Sequence, residues 1–350
     1  MNQFFLILFL GTTLTGLMVF FGKIFTSHTT KGHNNNEIQS AHIIPTPRLG
    51  GVSIFITCFL GIMIVDNLET YLPLIIILSA LPVFFAGLLD DLSIFQSVFF
   101  RYISSIISAL IVIFSTNYYI TTTSIFFLDY LISIPIIAIC FSLFAASGVS
   151  NAFNLIDGMN GLSSGIAIII CLFLFSLSVE LGEVEIANLI QICGLAIFSF
   201  FIWNFPFQKI FLGDNGAYFL GHVLFWIAII LSERNSEISQ WAILLFFLYP
   251  VIDTIFSIIR RVIRQKGISE PDRLHLHTLI FDKFIKVYFM NYSTIFQNNL
   301  SSLITLFLAS LPMVTGYFTI YTSLYAFIWV IFYVVIYLII YVYLSYLKIN

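Results

Sequence analysis

Long uncharged stretches are the feature that most constrains how this chain folds. From Val287 to Leu347 the sequence contains no Asp, Glu, Lys or Arg. Across the whole chain 60% of the residues are hydrophobic and 9% are charged, whereas a soluble domain carries about a quarter charged residues. This composition excludes a water-soluble domain, and we therefore predict an integral membrane protein.

Segments of about twenty apolar residues are long enough to cross the hydrocarbon core as helices. We predict about eleven such spans: 3–22, 49–65, 70–89, 102–119, 129–148, 162–179, 187–204, 216–232, 239–260, 301–320 and 323–346. The first run lacks a preceding basic region and continues to Gly22, which favours a retained helix over a cleaved signal peptide. The predicted fold is an all-α, polytopic bundle that forms one domain over residues 1–350.

The basic residues predict the orientation of these spans. If the N-terminus lies outside, every Lys and Arg except Arg234 falls on the cytoplasmic side. Basic residues accumulate in cytoplasmic connections of membrane proteins. Five polar segments interrupt the apolar runs on that same side, at 42–51, 87–91, 151–161, 211–216 and 272–277. Their carboxylates, amides, glycines and imidazoles predict a catalytic site on the cytoplasmic face.

Asp90 and Asp91 end the third predicted span. Adjacent ionised carboxylates repel one another and are costly near lipid unless a cation or hydrogen bonds compensate them. Mg²⁺ with diphosphate ligands provides that compensation using one or two carboxylates. The alternative is a solvated helix end.

Asp214 lies between Gly213 and Gly216, just before the eighth predicted span. Glycines let a ligand approach the backbone closely, and the start of a helix directs its amide groups towards an anion. This pattern favours a metal or phosphate site, although Asp214 is also a suitable helix N-cap.

Asn151, Asn154 and Asp157 are spaced three apart, so in a helix they share one face. With Asn160 they form the densest group of hydrogen-bonding side chains in the chain. Amides donate and accept together, which suits a nucleobase, a ribose or an N-acetyl sugar. A polar seam between membrane helices is the structural alternative.

His275 and His277 follow Arg273, and in an extended loop both rings face the same side. Zinc is improbable because neither a cysteine nor a third histidine lies nearby, which leaves phosphate contact or proton transfer. The segment Pro45-Thr46-Pro47-Arg48 is either a further phosphate-binding element or merely the entry to a helix.

The basic run at 260–266 has two interpretations as well. It either anchors the ninth predicted span on anionic lipid, or it contributes an arginine that grips a phosphate.

Taken together, these groups suit phosphoryl transfer from a nucleotide diphosphate to a lipid phosphate, in which catalysis is mainly positioning and charge neutralisation. A transporter of lipid-linked or nucleotide sugars is the alternative from another class, because polar residues also mark transport paths. It predicts polar groups along the spans and on both faces.

The chain resembles the polyprenyl-phosphate N-acetylhexosamine-1-phosphate transferases, the WecA/MraY group of glycosyltransferase family 4. The resemblance rests on five motifs in the family's order: Pro-Thr-Pro-Arg-Leu-Gly-Gly (45–51), Gly-Leu-Leu-Asp-Asp (87–91), Asn-Ala-Phe-Asn-Leu-Ile-Asp-Gly (151–158), Phe-Leu-Gly-Asp-Asn-Gly (211–216) and Asp-Arg-Leu-His-Leu-His (272–277). It implies transfer of a sugar 1-phosphate from a UDP-N-acetyl sugar, UDP-GlcNAc above all, to undecaprenyl phosphate with release of UMP.

The resemblance also implies where the protein works, with what and through which residues. It implies the bacterial inner membrane, a lipid and a nucleotide sugar rather than nucleic acid as partners, and Mg²⁺ or alternatively Mn²⁺ as cofactor. The oligomeric state stays open between a monomer and a homodimer. The expected roles are Asp90, Asp91, His275 and His277 in catalysis, Thr46, Arg48, Asn151, Asn154, Asp157, Asn160 and Arg273 in substrate binding, and Asp214 with Asn154 at the metal.

The motif at 45–51 is similar to the WecA branch, and a muramoyl-pentapeptide donor is the alternative. Three positions depart from the family pattern: Asn160 replaces a frequent aspartate, Thr278 stands where a further histidine is usual, and Ile94 replaces an acidic residue of some members. These departures bear on the identity of the donor.

Overall fold

The computed structural model describes residues 2–29, 46–66, 68, 70–265 and 274–347, and the regular structure in these ranges is helical, without a strand. The first eight helices are α1 (Asn2–Thr29), α2 (Gly50–Ile64), α3 (Leu72–Ser79), α4 (Leu81–Asp91), α5 (Val98–Thr116), α6 (Phe126–Ile132), α7 (Pro135–Ile156) and α8 (Leu162–Glu180). They are followed by α9 (Val184–Asn204), α10 (Gly213–Arg234), α11 (Gln240–Phe246), α12 (Leu248–Ile263), α13 (Leu276–Leu279), a π-helical turn (Ile280–Ile285), α14 (Lys286–Tyr288), α15 (Thr294–Phe318) and α16 (Ser323–Tyr346).

Nine helical segments of the described chain are long and apolar enough to cross a membrane, and α11 with α12 makes a tenth if that bent pair is one span. The predicted all-α polytopic membrane protein is therefore confirmed. The predicted number of about eleven is reached only by adding α2, which has 15 residues. Such a helix is about 22 Å long, shorter than a hydrocarbon core of about 30 Å.

Two predicted spans are not continuous helices. The span 70–89 breaks at Ala80, between α3 and α4, where Pro82 has no N–H to continue the helical hydrogen bonds. The span 239–260 bends by 81° between α11 and α12, three residues before Pro250. The start predicted at 129 was also wrong, because α6 is a separate short helix and α7 begins at Pro135.

Helix α10 forms the centre of the bundle. The whole apolar window of this helix is buried, and α2, α4, α7 and α8 pack around it. The N-terminal end of α10 carries Asp214, so the surrounding helices bring their own polar ends to that position.

At the opposite end of α10, Arg234 is the basic residue that departs from the predicted charge pattern. Its guanidinium donates to Glu183 at 3.0 Å and to the hydroxyl of Tyr118 at 3.1 Å. A local ion pair therefore satisfies Arg234 at the end of the bundle away from the polar motifs.

Candidate functional site

The two adjacent aspartates of α4 have different environments. Asp91 is buried, and its carboxylate accepts the backbone N–H groups of Asp214 at 3.1 Å and Asn215 at 3.0 Å. It also accepts the side-chain amide of Asn215 at 2.6 Å. Asp91 therefore caps the N-terminus of α10, where unpaired amide groups and the helix dipole favour a negative charge.

Close packing supports this cap. Gly213 has a φ of +77°, and a Cβ there would lie 2.8 Å from both the carbonyl oxygen of Arg48 and Asp91 Oδ2. A side chain is excluded by both conformation and space. Gly213 thus allows the start of α10 to pack closely against the backbone at Arg48 and the carboxylate of Asp91 on α4.

Asp90 faces another partner, Arg101 in the first turns of α5. Arg101 Nη1 donates to Asp90 and to Asp214 Oδ2, the latter at 3.0 Å. One guanidinium group therefore joins two carboxylates from α4 and α10. In the sequence Arg101 is only one of the predicted cytoplasmic basic residues, because a single arginine at the end of a span forms no motif.

Asn151 and Asn154 lie on one face of α7, as their spacing predicts, and Tyr218 of α10 connects them. The Tyr218 hydroxyl donates to Asn151 Oδ1 and accepts from Asn154 Nδ2, both at 3.3 Å. Tyr218 follows Asp214 by one helical turn. It was not predicted as a site residue because a tyrosine inside an apolar helix resembles packing.

Asp157 ends the same face of α7 and is half-buried. Burial raises the pKa of its carboxyl well above the ordinary value, and the negative charges of Asp214 and Asp91 add to this, while Arg48 opposes it. Asp157 and Arg48 thus lie close enough to the Asp214 cluster to share one electrostatic environment.

Asn160 is directed elsewhere. Its backbone N–H donates to Asn298 Oδ1 at 3.1 Å and its side-chain amide to Asn299 Oδ1 at 3.4 Å, both on α15. In this structure the Asn160 side chain is buried against α15 rather than aligned with Asn151 and Asn154.

The segment around Arg48 runs beside residues 208–212. Phe211 N–H donates to the carbonyl of Pro47, and Gly50 N–H donates to the carbonyl of Phe211, both at 2.9 Å. The Thr46 hydroxyl donates to the carbonyl of Gln208 at 3.5 Å. This pairing brings Arg48 to the N-terminus of α10.

The two histidines lie together, as predicted. Their rings stack 5.5 Å apart. His275 Nδ1 donates to Asp253 Oδ2 at 2.6 Å, and Tyr249 Oη lies 3.2 Å from His277 Nδ1. Burial lowers the pKa of His277 to about 4, although the charge of Asp253 opposes the shift. His277 is therefore neutral near pH 7.

His277 also lies beside the loop that follows Asp157, since a Cβ on Gly158 would lie 3.0 Å from His277 Nε2. Arg273, predicted to bind substrate, lies outside the described residues, as do residues 42–45. The described parts of all five motifs thus meet at one end of the bundle.

The amino-acid sequence is similar to that of known proteins. A profile of glycosyl transferase family 4 matches residues 73–232, a range that includes Asp90, Asn154 and Asp214 but ends before His275. Over this range, which is slightly less than half of the chain, the chain is similar to glycosyl transferase family 4. The match is to the same family that the sequence motifs resemble.

Relatives from several bacteria extend the match. The chain is 29% identical to the probable undecaprenyl-phosphate N-acetylglucosaminyl 1-phosphate transferase of Bacillus subtilis over 66% of this chain and 64% of that protein. It is 29% identical to the undecaprenyl-phosphate alpha-N-acetylglucosaminyl 1-phosphate transferase of Thermotoga maritima over 78% of this chain and 79% of that protein.

A third relative carries a different name. The phospho-N-acetylmuramoyl-pentapeptide-transferase of Staphylococcus carnosus is 28% identical over 66% of this chain and 76% of that protein. The chain therefore spans slightly less than two thirds of the Bacillus subtilis relative and about three quarters or more of the other two.

Proposed function

We propose that this protein transfers N-acetylhexosamine 1-phosphate from a UDP-sugar, with UDP-GlcNAc as the first choice, to undecaprenyl phosphate and releases UMP. The observation that carries the proposal is the convergence of Asp90, Asp157 and Asp214 with Arg101 at one end of the bundle. The names of the Bacillus subtilis and Thermotoga maritima relatives support the choice of donor and acceptor.

The reaction joins an oxygen of the lipid phosphate to the β-phosphorus of the UDP-sugar. The bond from that phosphorus to the bridging oxygen breaks, and the α-phosphate leaves as UMP. A phosphate monoester has a second pKa near 6, so the lipid phosphate is mainly a dianion at neutral pH and needs no base. The protein must bring two anions together and stabilise their charge.

Arg101 and Asp90 are suited to the reacting phosphates. Arg101 holds two carboxylates, and its Nε–H is buried without a partner among the described residues. A phosphate oxygen is a strong acceptor for such a donor. We assign Arg101 to phosphate binding and Asp90 to orienting Arg101 and the acceptor.

The carboxylate and amide oxygens of the site also suit Mg²⁺ as ligands, with Mn²⁺ as the alternative. Within the described residues no group of three or more His, Cys, Asp or Glu is arranged to hold a metal by itself. Mg²⁺ in phosphoryl transfer takes one or two protein carboxylates and completes its shell with substrate phosphates and water. Asp214 and the Asn154 amide oxygen would hold the ion, which supplies charge neutralisation at the diphosphate.

The remaining polar groups would bind the donor. Asn151, Asn154 and Asp157 form one face beside the carboxylates, and such groups can hydrogen-bond a uridine or an N-acetyl sugar. His277, neutral and in contact with Gly158, would serve as a hydrogen-bonding group rather than a cation. The basic residues at this end support a cytoplasmic orientation, where nucleotide sugars are made.

The decisive experiment measures UMP release by the full chain in lipid nanodiscs. Undecaprenyl phosphate and Mg²⁺ are supplied with a panel that includes UDP-GlcNAc, UDP-GalNAc and UDP-N-acetylmuramoyl-pentapeptide. We expect UMP only when lipid phosphate is present, and most with UDP-GlcNAc. Asp66→Asn, at an exposed position away from the motifs, is the matched control and should keep wild-type activity. No UMP with any donor would overturn the proposal and favour the transporter.

The metal assignment has its own test. We expect Asp214→Asn to lower the rate about a hundredfold and to raise the Mg²⁺ concentration needed for half-maximal activity. Mn²⁺ binding, followed by electron paramagnetic resonance without substrate, should weaken in parallel. Unchanged metal dependence and unchanged Mn²⁺ binding would contradict this assignment.

A further inference from the structure

The last helix of the chain is connected to the histidine pair through a buried carboxylate. Asp253 of α12 accepts three hydrogen bonds: His275 Nδ1 at 2.6 Å, the backbone N–H of Leu276 at 2.9 Å and the hydroxyl of Tyr337 at 2.7 Å. Asp253 is 1% exposed. Tyr337 of α16 thus supplies one of the donors that compensate this charge.

A second connection lies two turns further along α12. Arg260 donates to the carbonyl of Leu274 at 2.8 Å and to the hydroxyl of Tyr341 at 2.6 Å. Its guanidinium also lies 5.5 Å from the centre of the Tyr341 ring. The basic run was predicted to anchor the span on lipid or to bind a phosphate. The Arg260 side chain is instead buried and holds residues 274–277, called the histidine segment below.

The histidine segment is consequently fixed on both sides of His275. Leu274 is held through Arg260, and His275 and Leu276 are held through Asp253. The His277 ring stacks on His275 and reaches Gly158, next to Asp157. A series of hydrogen bonds and stacked rings therefore connects α16 to His277, which lies beside the residues that follow Asp157.

We propose that Tyr337 and Tyr341 are positioning residues that hold His275 and His277 for the reaction; this inference rests on the proposed transferase function. A carboxylate accepts only, so the bond to Asp253 commits Nδ1 of His275 as a donor and leaves Nε2 for chemistry, as outer partners of functional histidines commonly do. Burying the charges of Asp253 and Arg260 is costly unless hydrogen bonds compensate them, and each tyrosine contributes one such bond.

The test compares Tyr337→Phe and Tyr341→Phe with Tyr343→Phe, a control on the same helix at a residue that is 65% exposed. Phenylalanine keeps the ring packing and removes only the hydroxyl. Losing a hydrogen bond to a charged group changes a rate or equilibrium constant about tenfold. We therefore expect kcat for UMP release to fall about tenfold in each test variant. KM for both substrates should change by less than about twofold.

A double-mutant cycle separates positioning from general stability. If Tyr337 acts through His275, the change Tyr337→Phe should have no further effect on kcat in a His275→Asn background. If Tyr337→Phe and His275→Asn lower kcat by independent factors that multiply in the double variant, the inference is overturned. Wild-type kcat in both tyrosine variants would overturn it as well. If Tyr337→Phe does not fold, Tyr341→Phe carries the same test.

Hydrogen–deuterium exchange gives a readout that needs no activity. We expect faster exchange over residues 274–279 in the two test variants than in wild type or Tyr343→Phe, because the Leu276 N–H is held by Asp253. Unchanged exchange would overturn the positioning role. If wild type releases no UMP but the two test variants still exchange faster than wild type, the transferase function is overturned and the anchoring of the histidines is retained.

Discussion

At the scale of the residue, Asp90 and Asp91 show how neighbours of the same type take different tasks. Successive residues of a helix point about 100° apart, so Asp91 reaches the N-terminus of α10 while Asp90 reaches Arg101. The sequence predicts a carboxylate pair at this position. It does not tell the two apart, because that depends on where α5 and α10 pack, and neither Arg101 nor Tyr218 belongs to a motif.

Asp91→Asn is expected to destabilise the protein more than Asp90→Asn does. The new amide would place donors against the N–H groups of Asp214 and Asn215, and the loss of a helix cap costs about 1–2 kcal/mol. Thermal unfolding in detergent should show a lower midpoint for Asp91→Asn and a nearly unchanged one for Asp90→Asn. Equal midpoints for the two variants would argue against the cap.

The lowered pKa of His277 predicts how the stability of the protein depends on pH. The pKa of His277 in the folded protein is about 4, below the ordinary value of about 6.5, so the unfolded chain takes up a proton first as pH falls. The contribution of His277 to the free energy of unfolding is therefore complete above a pH of about 6.5, and it decreases as the pH falls towards about 4. The unfolding midpoint of His277→Gln should decrease less over that range than that of wild type; parallel curves would rule out this contribution.

At the scale of the element, the broken helices show what a hydropathy pattern misses. The hydropathy pattern predicted the spans 70–89 and 239–260, although the second also contains Asp253 and Arg260, and each contains a break. Pro82 and Pro250 were visible in the sequence, but proline is tolerated in membrane helices when neighbours satisfy the freed backbone groups. Whether a proline bends a helix thus depends on packing that the sequence does not reveal.

The contact between α4 and α10 can be tested with glycine substitutions. A Cβ on Gly87 would lie 2.6 Å from the backbone nitrogen of Asn215, so Gly87→Ala must push α4 away from α10 and pull Asp91 from its cap. We expect a large loss of both activity and thermal stability. Gly148→Ala on α7 is the control, since no atom lies within 4 Å of its Cβ, and alanine there should be neutral or stabilising. Similar losses in both variants would refute the packing argument.

At the scale of the whole molecule, the sequence predicted the gathering of polar motifs correctly. Alternating spans placed the five segments on one side, and their described parts lie at one end of the bundle. The positive-inside pattern further predicts that this end faces the cytoplasm. Arg234, the exception to that pattern, has its own partner in Glu183.

Cysteine labelling in intact cells would test the orientation. In a chain whose four cysteines are replaced by alanine, Ser236→Cys lies at the Arg234 end and Asn291→Cys beyond the histidine segment, and both positions are exposed. We expect a membrane-impermeant maleimide to label Ser236→Cys directly and Asn291→Cys only after permeabilisation. The reverse pattern would place the site outside and contradict the use of cytoplasmic nucleotide sugars.

The burial of the whole apolar window of α10 has a consequence for how the protein is made. This helix carries Asp214, Asn215 and His222, which are costly to expose to lipid. Its main packing partners α2, α4, α7 and α8 all precede it in the chain, so a shelter is already synthesised when α10 leaves the ribosome. The histidine segment and α16 follow much later. The order of synthesis thus provides packing partners for this central helix before the rest of the site is made.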